Sequence, residues 1–183
     1  MNPVKLDLGC GQHPKEGFEG VDVCQALPMP WHVNLLKFPW PWPTSTVNEI
    51  WCSHFIEHIP ARDVELHDLL QVPDCDLHMI GQDMFFAFFD ECFRILKPNG
   101  KITLVWPGLQ TTRAFKDPTH RRFIPLETMD YLGATWRRDN GLSHYQVKCN
   151  FVLEDPGQSP RPIEKWNSMK DFQITLLASK YRA

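Results

Sequence analysis

Two stretches near the N-terminus carry residue types and spacings suited to holding a nucleoside: Lys5-Leu6-Asp7-Leu8-Gly9-Cys10-Gly11 and Gly20-Val21-Asp22-Val23. An apolar run entering paired glycines lets the backbone turn sharply and approach a ligand, because glycine has no Cβ and tolerates positive φ. Asp22, an acid closing a second apolar run, can accept two hydroxyl hydrogen bonds from a ribose. A dinucleotide fingerprint would read G-x-G-x-x-G with its acid about 20 residues further on. Here Pro14 stands where the third glycine belongs, and only Gln12 to Val21 separate Gly11 from Asp22. No G-x-x-x-x-G-K-[ST] occurs either, so these residues fit a ribose-bearing ligand without pyrophosphate.

A second set of chemistry-bearing residues is Ser53-His54-Phe55-Ile56-Glu57-His58-Ile59. His54 is a candidate general base, since an imidazole titrates near neutral pH. The same residues, His54, Glu57 and His58, also spell H-x-x-E-H, in which two histidines on one helical face bind zinc and the glutamate activates water. That zinc-hydrolase reading needs a further ligand and leaves the glycine turn and Asp22 without a role. Downstream, Asp117-Pro118-Thr119-His120-Arg121-Arg122 gathers a carboxylate, an imidazole and two guanidiniums. Such a turn suits the orientation of a polar or anionic substrate, or else ties down its own loop by ion pairs. His120 is the second candidate base, and Arg113, Lys116, Arg137 and Arg138 extend a possible basic face.

The elements that must position these residues follow from hydrophobic periodicity. Strands are expected at Val4 to Leu8, Gly20 to Val23, Glu49 to Ser53 and Gly100 to Trp106, with later ones at Tyr145 to Glu154 and Phe172 to Lys180. Phe85, Phe86, Phe88, Phe89, Cys92, Phe93 and Leu96 recur near helical spacing and stop at Lys97-Pro98-Asn99-Gly100, a basic last turn followed by breakers. That helix feeds a strand, Ile102 to Val105, whose unbroken apolar run reads as covered on both faces. A parallel crossover normally needs about 10 to 12 residues including its helix. With Pro14 and Gly17 interrupting the link, the first helix is expected to be a turn or two. Asp63 to Leu70 reads as a short helix and Pro73 to Asp76 as a turn, within a surface insertion over Ala61 to Asp83. Leu27 to Pro43, rich in proline and tryptophan, reads as a stiff extended loop outside the sheet. Its Trp31, Trp40 and Trp42 either finish the core or form an aromatic wall over the ligand.

These segments resemble the class I S-adenosylmethionine-dependent methyltransferases, whose first motif has an acid before a G-x-G and whose second ends in an acid. The resemblance covers Val4 to Trp106 well and the remainder loosely. It implies an α/β, Rossmann-like fold with a seven-stranded, mostly parallel sheet, an antiparallel C-terminal strand and here a shortened first helix. It implies a single domain over residues 1–183, with 1–106 as the cofactor-binding half and 107–183 as substrate-side loops and C-terminal strands. By the same resemblance Asp7 faces the methionine end of S-adenosylmethionine, Gly9, Cys10 and Gly11 shape the floor, and Asp22 takes the ribose hydroxyls. Asn34, followed by Leu35, stands where the family often has an aspartate and would contact the adenine amino group. Ser53 and His54 would border the methionine moiety. The implied reaction is methyl transfer to an oxygen or nitrogen of a small-molecule or glycan-like acceptor, with no metal required. The rival reading is a non-catalytic module that binds the same cofactor.

Whole-chain properties narrow the partners. A net charge of -3 over 183 residues gives no basic footprint for nucleic acid or an anionic membrane. The chain also lacks the Asp/Asn/Ser-Pro-Pro-aromatic and Pro-Cys motifs of base-modifying DNA methyltransferases. Six cysteines without a C-x-x-C favour a reducing compartment, and no apolar run approaches the ~18 residues of a membrane span, so a cytoplasmic location is expected.

Overall fold

In the computed structural model of the protein, residues 3–61, 83–154, 161–165 and 169–180 are described. The short apolar runs become strands β1 (Lys5–Leu8), β2 (Glu19–Asp22), β3 (Trp31–His32), β4 (Val47–Ser53), β5 (Leu96–Pro107), β6 (Phe151–Leu153), β7 (Arg161–Lys165) and β8 (Met169–Ala178). They form one sheet in the order β3-β2-β1-β4-β5-β8-β6. Strands β3, β2, β1, β4 and β5 run parallel, and β8 inserts antiparallel beside β5. The outer edge of β8 is shared, β6 pairing its end at Leu176 to Ala178 and β7 its start at Met169 to Gln173. The expected mostly parallel sheet with an antiparallel C-terminal strand is therefore present, its last position divided between two strands.

β5 lies between β4 and β8, and Ile102, Leu104, Val105 and Trp106 are all buried, as an apolar run in a covered strand requires. Helix α1 (Met84–Ile95) packs against this region through Phe85, Phe88, Phe89, Cys92 and Ile95, the residues that recur every three or four positions. Each such aromatic or aliphatic side chain contributes about 1.5–3 kcal/mol by leaving water. Asp83 caps the helix by accepting from Phe85 N at 2.8 Å, and the chain turns extended at Leu96. Two short helices, α2 (Arg113–Lys116) and α3 (Ala134–Asp139), lie in the connection between β5 and β6. Among the described residues no helix is long and apolar enough to cross a membrane.

Several expectations need correction. No helical turn at all lies between β1 and β2; residues 9–18 cross over as turns alone, because Pro14 and Gly17 leave no uninterrupted stretch to nucleate a helix. The proline- and tryptophan-rich loop does contribute to the sheet, since Trp31 and His32 pair with Val21 and Asp22. Trp40 and Trp42 belong to the core, Trp40 meeting Phe88 edge-on at 5.5 Å, so neither closes a ligand site. Trp31 packs on Trp42 and donates its indole N–H to Glu19 at 2.7 Å. Lys97 to Gly100 ends the helix as expected, yet within the span of β5: the β4/β5 pairing starts at Val47 and Leu96, breaks, and resumes at Glu49 and Lys101. The strand expected from Tyr145 is confined to Phe151–Leu153, because Asp90 Oδ1 accepts from Lys148 N and Cys149 N and holds that backbone toward α1. The helix over Asp63 to Leu70 and the turn at Pro73 to Asp76 lie outside the described residues.

Candidate functional site

The glycine turn leaves β1 with Gly9 at φ +70° and Gly11 at φ +56°, the region that glycine alone enters without strain. A Cβ on Gly9 would stand 2.5 Å from Phe55 Cδ2, so this glycine is also required by packing against the segment after β4. Among the described residues a Cβ on Gly11 would meet nothing within 4 Å, which leaves its backbone open to a ligand. Asp22, at the end of β2, is fixed from both sides: Gly11 N donates to Oδ2 at 3.0 Å and Cys24 N to Oδ1 at 3.0 Å. Each oxygen keeps a lone pair for a further donor.

A cavity of about 130 Å³ opens beside this carboxylate, lined by Gly9, Asp22, Val23, Val33, Asn34, Leu35, Leu36 and Phe55. Four residues expected at the cofactor, Gly9, Asp22, Asn34 and Leu35, thus share one cleft. Asn34 is held by its own side chain, Oδ1 accepting from Leu36 N at 2.9 Å. Its position in a turn after β3 therefore follows from a local asparagine-backbone bond. Apolar Val23, Val33, Leu36 and Phe55 complete the walls, and sequence reasoning did not single them out because their lining role depends on the pairing of β2 with β3.

The other expected cofactor residues lie around the cleft without lining it. Asp7 is only 4% exposed, with Oδ2 accepting from Lys15 N at 2.7 Å, so it anchors the crossover loop. Burial is the main cause that raises its carboxyl above the usual 3.8, partly offset by the Lys15 backbone bond and charge. Cys10 is half-buried, its Sγ near Gly11 O at 3.5 Å and Met29 Sδ at 3.9 Å, and burial with the charges of Asp7 and Asp22 raises its thiol. That environment argues against a nucleophilic thiolate. Ser53 ends β4 opposite Val105.

At His54 the backbone enters positive φ (56°) while its N–H continues the sheet to Val105 O at 2.8 Å. Its side chain, 30% exposed, lies between two buried acids: Nδ1 is 3.2 Å from Glu57 Oε1 and Nε2 is 3.4 Å from Asp171 Oδ2. Arg113 Nη1 holds the same Asp171 oxygen at 3.2 Å. Among the described residues Glu57 Oε2 and Asp171 Oδ1 are buried without hydrogen-bond partners. Asp171 and Arg113 were invisible as partners of His54 in sequence, since they meet only where β8 pairs with β5 at Pro107 and Asp171.

Ile56–His58 is a single 3-10 turn, so His54 and His58 do not share a helical face and the zinc-hydrolase motif lacks its defining geometry. His120 is packed over this turn, Nδ1 at 2.9 Å from Ala114 O and Nε2 at 4.0 Å from Glu57 Oε1. Most of the anticipated basic face is committed to structure. Arg122 binds Asp83 at 2.7 Å and the carbonyls of Ile59 and Pro60, while buried Arg137 donates to the carbonyls of Tyr131, Val147 and Cys149. Arg138 pairs with Asp139 at 3.1 Å. Two larger cavities, about 890 and 590 Å³, lie against α1 and against α3 with β6 and β8, away from the glycine turn.

The sheet order and the antiparallel β8 are those of the class I methyltransferase fold. Solved structures agree. A SAM-dependent methyltransferase from Archaeoglobus fulgidus is similar with a TM-score of 0.54 and 16% identity, covering 96% of this chain and 86% of its own. One from Methanosarcina mazei matches with a TM-score of 0.54 and 14% identity over 98% of this chain and 94% of its own. Burkholderia thailandensis 1,6-didemethyltoxoflavin-N1-methyltransferase, with bound 1,6-didemethyltoxoflavin and S-adenosylhomocysteine, gives 0.52 and 12% over 98% and 72%. No protein-family model matches the sequence, and no curated protein matches it.

Proposed function

We propose that the protein is an S-adenosylmethionine-dependent methyltransferase acting on an oxygen or nitrogen of a small-molecule or glycan-like acceptor, in the cytoplasm. The observation that carries this reading is the cleft that joins Gly9, Asp22, Asn34 and Leu35 at the carboxyl ends of β1 and β2. It fits the cofactor on three counts: an anchored carboxylate with free lone pairs for the ribose, an open backbone at Gly11, and apolar walls for a base. Asp22 would accept the ribose hydroxyls, Asn34 the adenine amino group, and the glycine turn with Ser53 would border the methionine end. When bound, S-adenosylmethionine supplies an electrophilic methyl group on a sulfonium.

His54 is the residue best placed to take the acceptor's proton. It follows Ser53 and precedes Phe55, which packs on Gly9, so it stands beside the cleft. With Nδ1–H donated to Glu57 Oε1, the lone pair lies on Nε2; once that nitrogen is protonated, Asp171 Oδ2 at 3.4 Å compensates the imidazolium. His120, with Nδ1 bound to Ala114 O and its ring 7% exposed, is a less accessible second base. A small acceptor accords with the ligand of the Burkholderia enzyme, and the chain's -3 charge speaks against nucleic acid.

Incubation with methyl-labelled S-adenosylmethionine and a panel of hydroxyl and amine acceptors tests the proposal. Label transferred to an acceptor, and lost with Asp22→Ala, is the expected result. Cofactor binding without transfer to any acceptor would favour instead the binding module that the helix-free crossover between β1 and β2 makes plausible.

A further inference from the structure

The cluster over the 3-10 turn has a second feature beyond the part that Glu57 plays in orienting His54. Glu57, His58 and His120 each offer one ligand atom, and these atoms all lie within 4.8 Å of one another. We propose that Glu57, His58 and His120 bind a divalent transition-metal ion, zinc being the natural probe. The three residues of this site do not line the cofactor cleft, although Glu57 also bonds His54, and the site differs from the H-x-x-E-H pattern in replacing His54 by His120 and in making Glu57 a ligand.

Backbone contacts hold the two halves of the site together. Arg121 N and Arg122 N donate to Glu57 O at 2.8 and 3.0 Å, docking the Asp117 to Arg122 loop on the turn. Arg122 reinforces this through the Ile59 carbonyl at 2.8 Å and the Pro60 carbonyl at 3.0 Å. A site held by loops that are already bonded loses little entropy when an ion arrives.

Hydrogen bonding also sets both imidazoles in the ligating tautomer. His120 Nδ1 lies 2.9 Å from Ala114 O, and a carbonyl only accepts, so the proton is on Nδ1 and the lone pair on Nε2. His58 Nδ1 lies 3.3 Å from Thr119 O and 3.1 Å from Thr119 Oγ1. The Thr119 hydroxyl donates to Asp117 Oδ1 at 2.7 Å, so in the neutral ring His58 Nδ1 is the donor and Nε2 carries the lone pair. A ring whose other nitrogen donates to a carbonyl is the usual outer-shell arrangement of a metal-binding histidine.

The carboxylate supplies the independent sign of a missing partner. Glu57 is 2% exposed; its Oε1 lies 3.2 Å from His54 Nδ1 and 4.0 Å from His120 Nε2, and its Oε2 is buried with no hydrogen-bond partner among the described residues. A buried carboxylate oxygen left without a donor or cation is costly, and an ion removes that cost. Two imidazoles and one carboxylate are a zinc donor set with positions left for water or a ligand. Ligands at about 2.1 Å from one ion stand at most ~4.2 Å apart, so binding draws these side chains together slightly.

Metal content after stripping with chelator, dialysis against zinc and removal of free ion provides the test. The wild-type chain retains one zinc; the His58→Gln, His120→Gln double variant loses it, and a His13→Gln, His32→Gln control at exposed positions keeps it. Cobalt in place of zinc gives visible d–d bands in wild type that the double variant lacks. Wild type holding no zinc, or the double variant holding as much as wild type, overturns the site. If the double variant does not fold, the wild-type cobalt spectrum decides alone: absence of those bands contradicts the proposal.

Discussion

The proposed cofactor cleft and the histidine cluster adjoin each other at the ends of the parallel strands, yet they are built in opposite ways. In the cleft, each polar group is set by a near neighbour in sequence: Asp22 by Gly11 and Cys24, Asn34 by Leu36. In the cluster, His54 depends on Asp171 and Arg113, brought in by the last strand and by the loop after β5. Local bonds form whenever the turn forms, whereas the cluster exists only once β8 has paired with β5. The cleft should therefore tolerate damage to the distant elements, and the cluster should not.

Breaking the cluster at His54, the proposed base, gives the largest expected effect. His54→Asn lowers turnover by about 100-fold or more, the usual contribution of a general base, while affinity for S-adenosylmethionine stays within about twofold. Kinetics on a purified acceptor measure it; an unchanged turnover would remove His54 from the chemistry. Asp171→Asn comes next, because it takes the counter-charge from half-buried Arg113 and from His54 at a fully buried position. Denaturant unfolding should show a loss of about 3 kcal/mol, with turnover reduced and cofactor affinity retained. Equal losses of affinity and turnover would mean that cleft and cluster are not separable.

Gly9→Ala attacks the cleft instead. It places a Cβ 2.5 Å from Phe55 and forces a side chain to φ +70°, costing about 1–2 kcal/mol for the backbone alone. Cofactor affinity should drop with it, and unaltered affinity would contradict the packing of Phe55 on the glycine turn. The smallest effect belongs to Asp7→Asn. The folded-state carboxyl is raised above 3.8 chiefly by burial, so the protonated form favours folding and wild type loses that stability as pH rises through the raised value. Asparagine keeps an acceptor for Lys15 N and carries no charge to bury. The variant should melt slightly higher than wild type at pH 7, with the gap closing toward pH 4; a lower melting temperature at pH 7 would show that the charge itself is needed there.

The same contrast explains what was legible in the sequence. β1 and β2, with Asp7 in one and Asp22 closing the other, were legible because short apolar runs flank a glycine turn, and α1 because its phenylalanines repeat at helical spacing. The missing helix between β1 and β2 was only half anticipated: Pro14 and Gly17 signalled shortness, but whether one turn survives depends on how Lys15 is pulled onto Asp7. β3 was overlooked because two residues carry no periodicity, and Trp31 and His32 become a strand only through β2. Asp171 and the tautomer of His58 were beyond reach, since both are set by contacts between segments far apart in the chain.

Calorimetric titration with S-adenosylmethionine asks whether the cleft of Gly9, Asp22 and Asn34 holds that cofactor. One binding event per chain is predicted for wild type, weakened about 100-fold by Asp22→Ala as two hydrogen bonds to a charged group are lost. No binding by wild type, or equal binding by the Asp22→Ala variant, would contradict the proposed site.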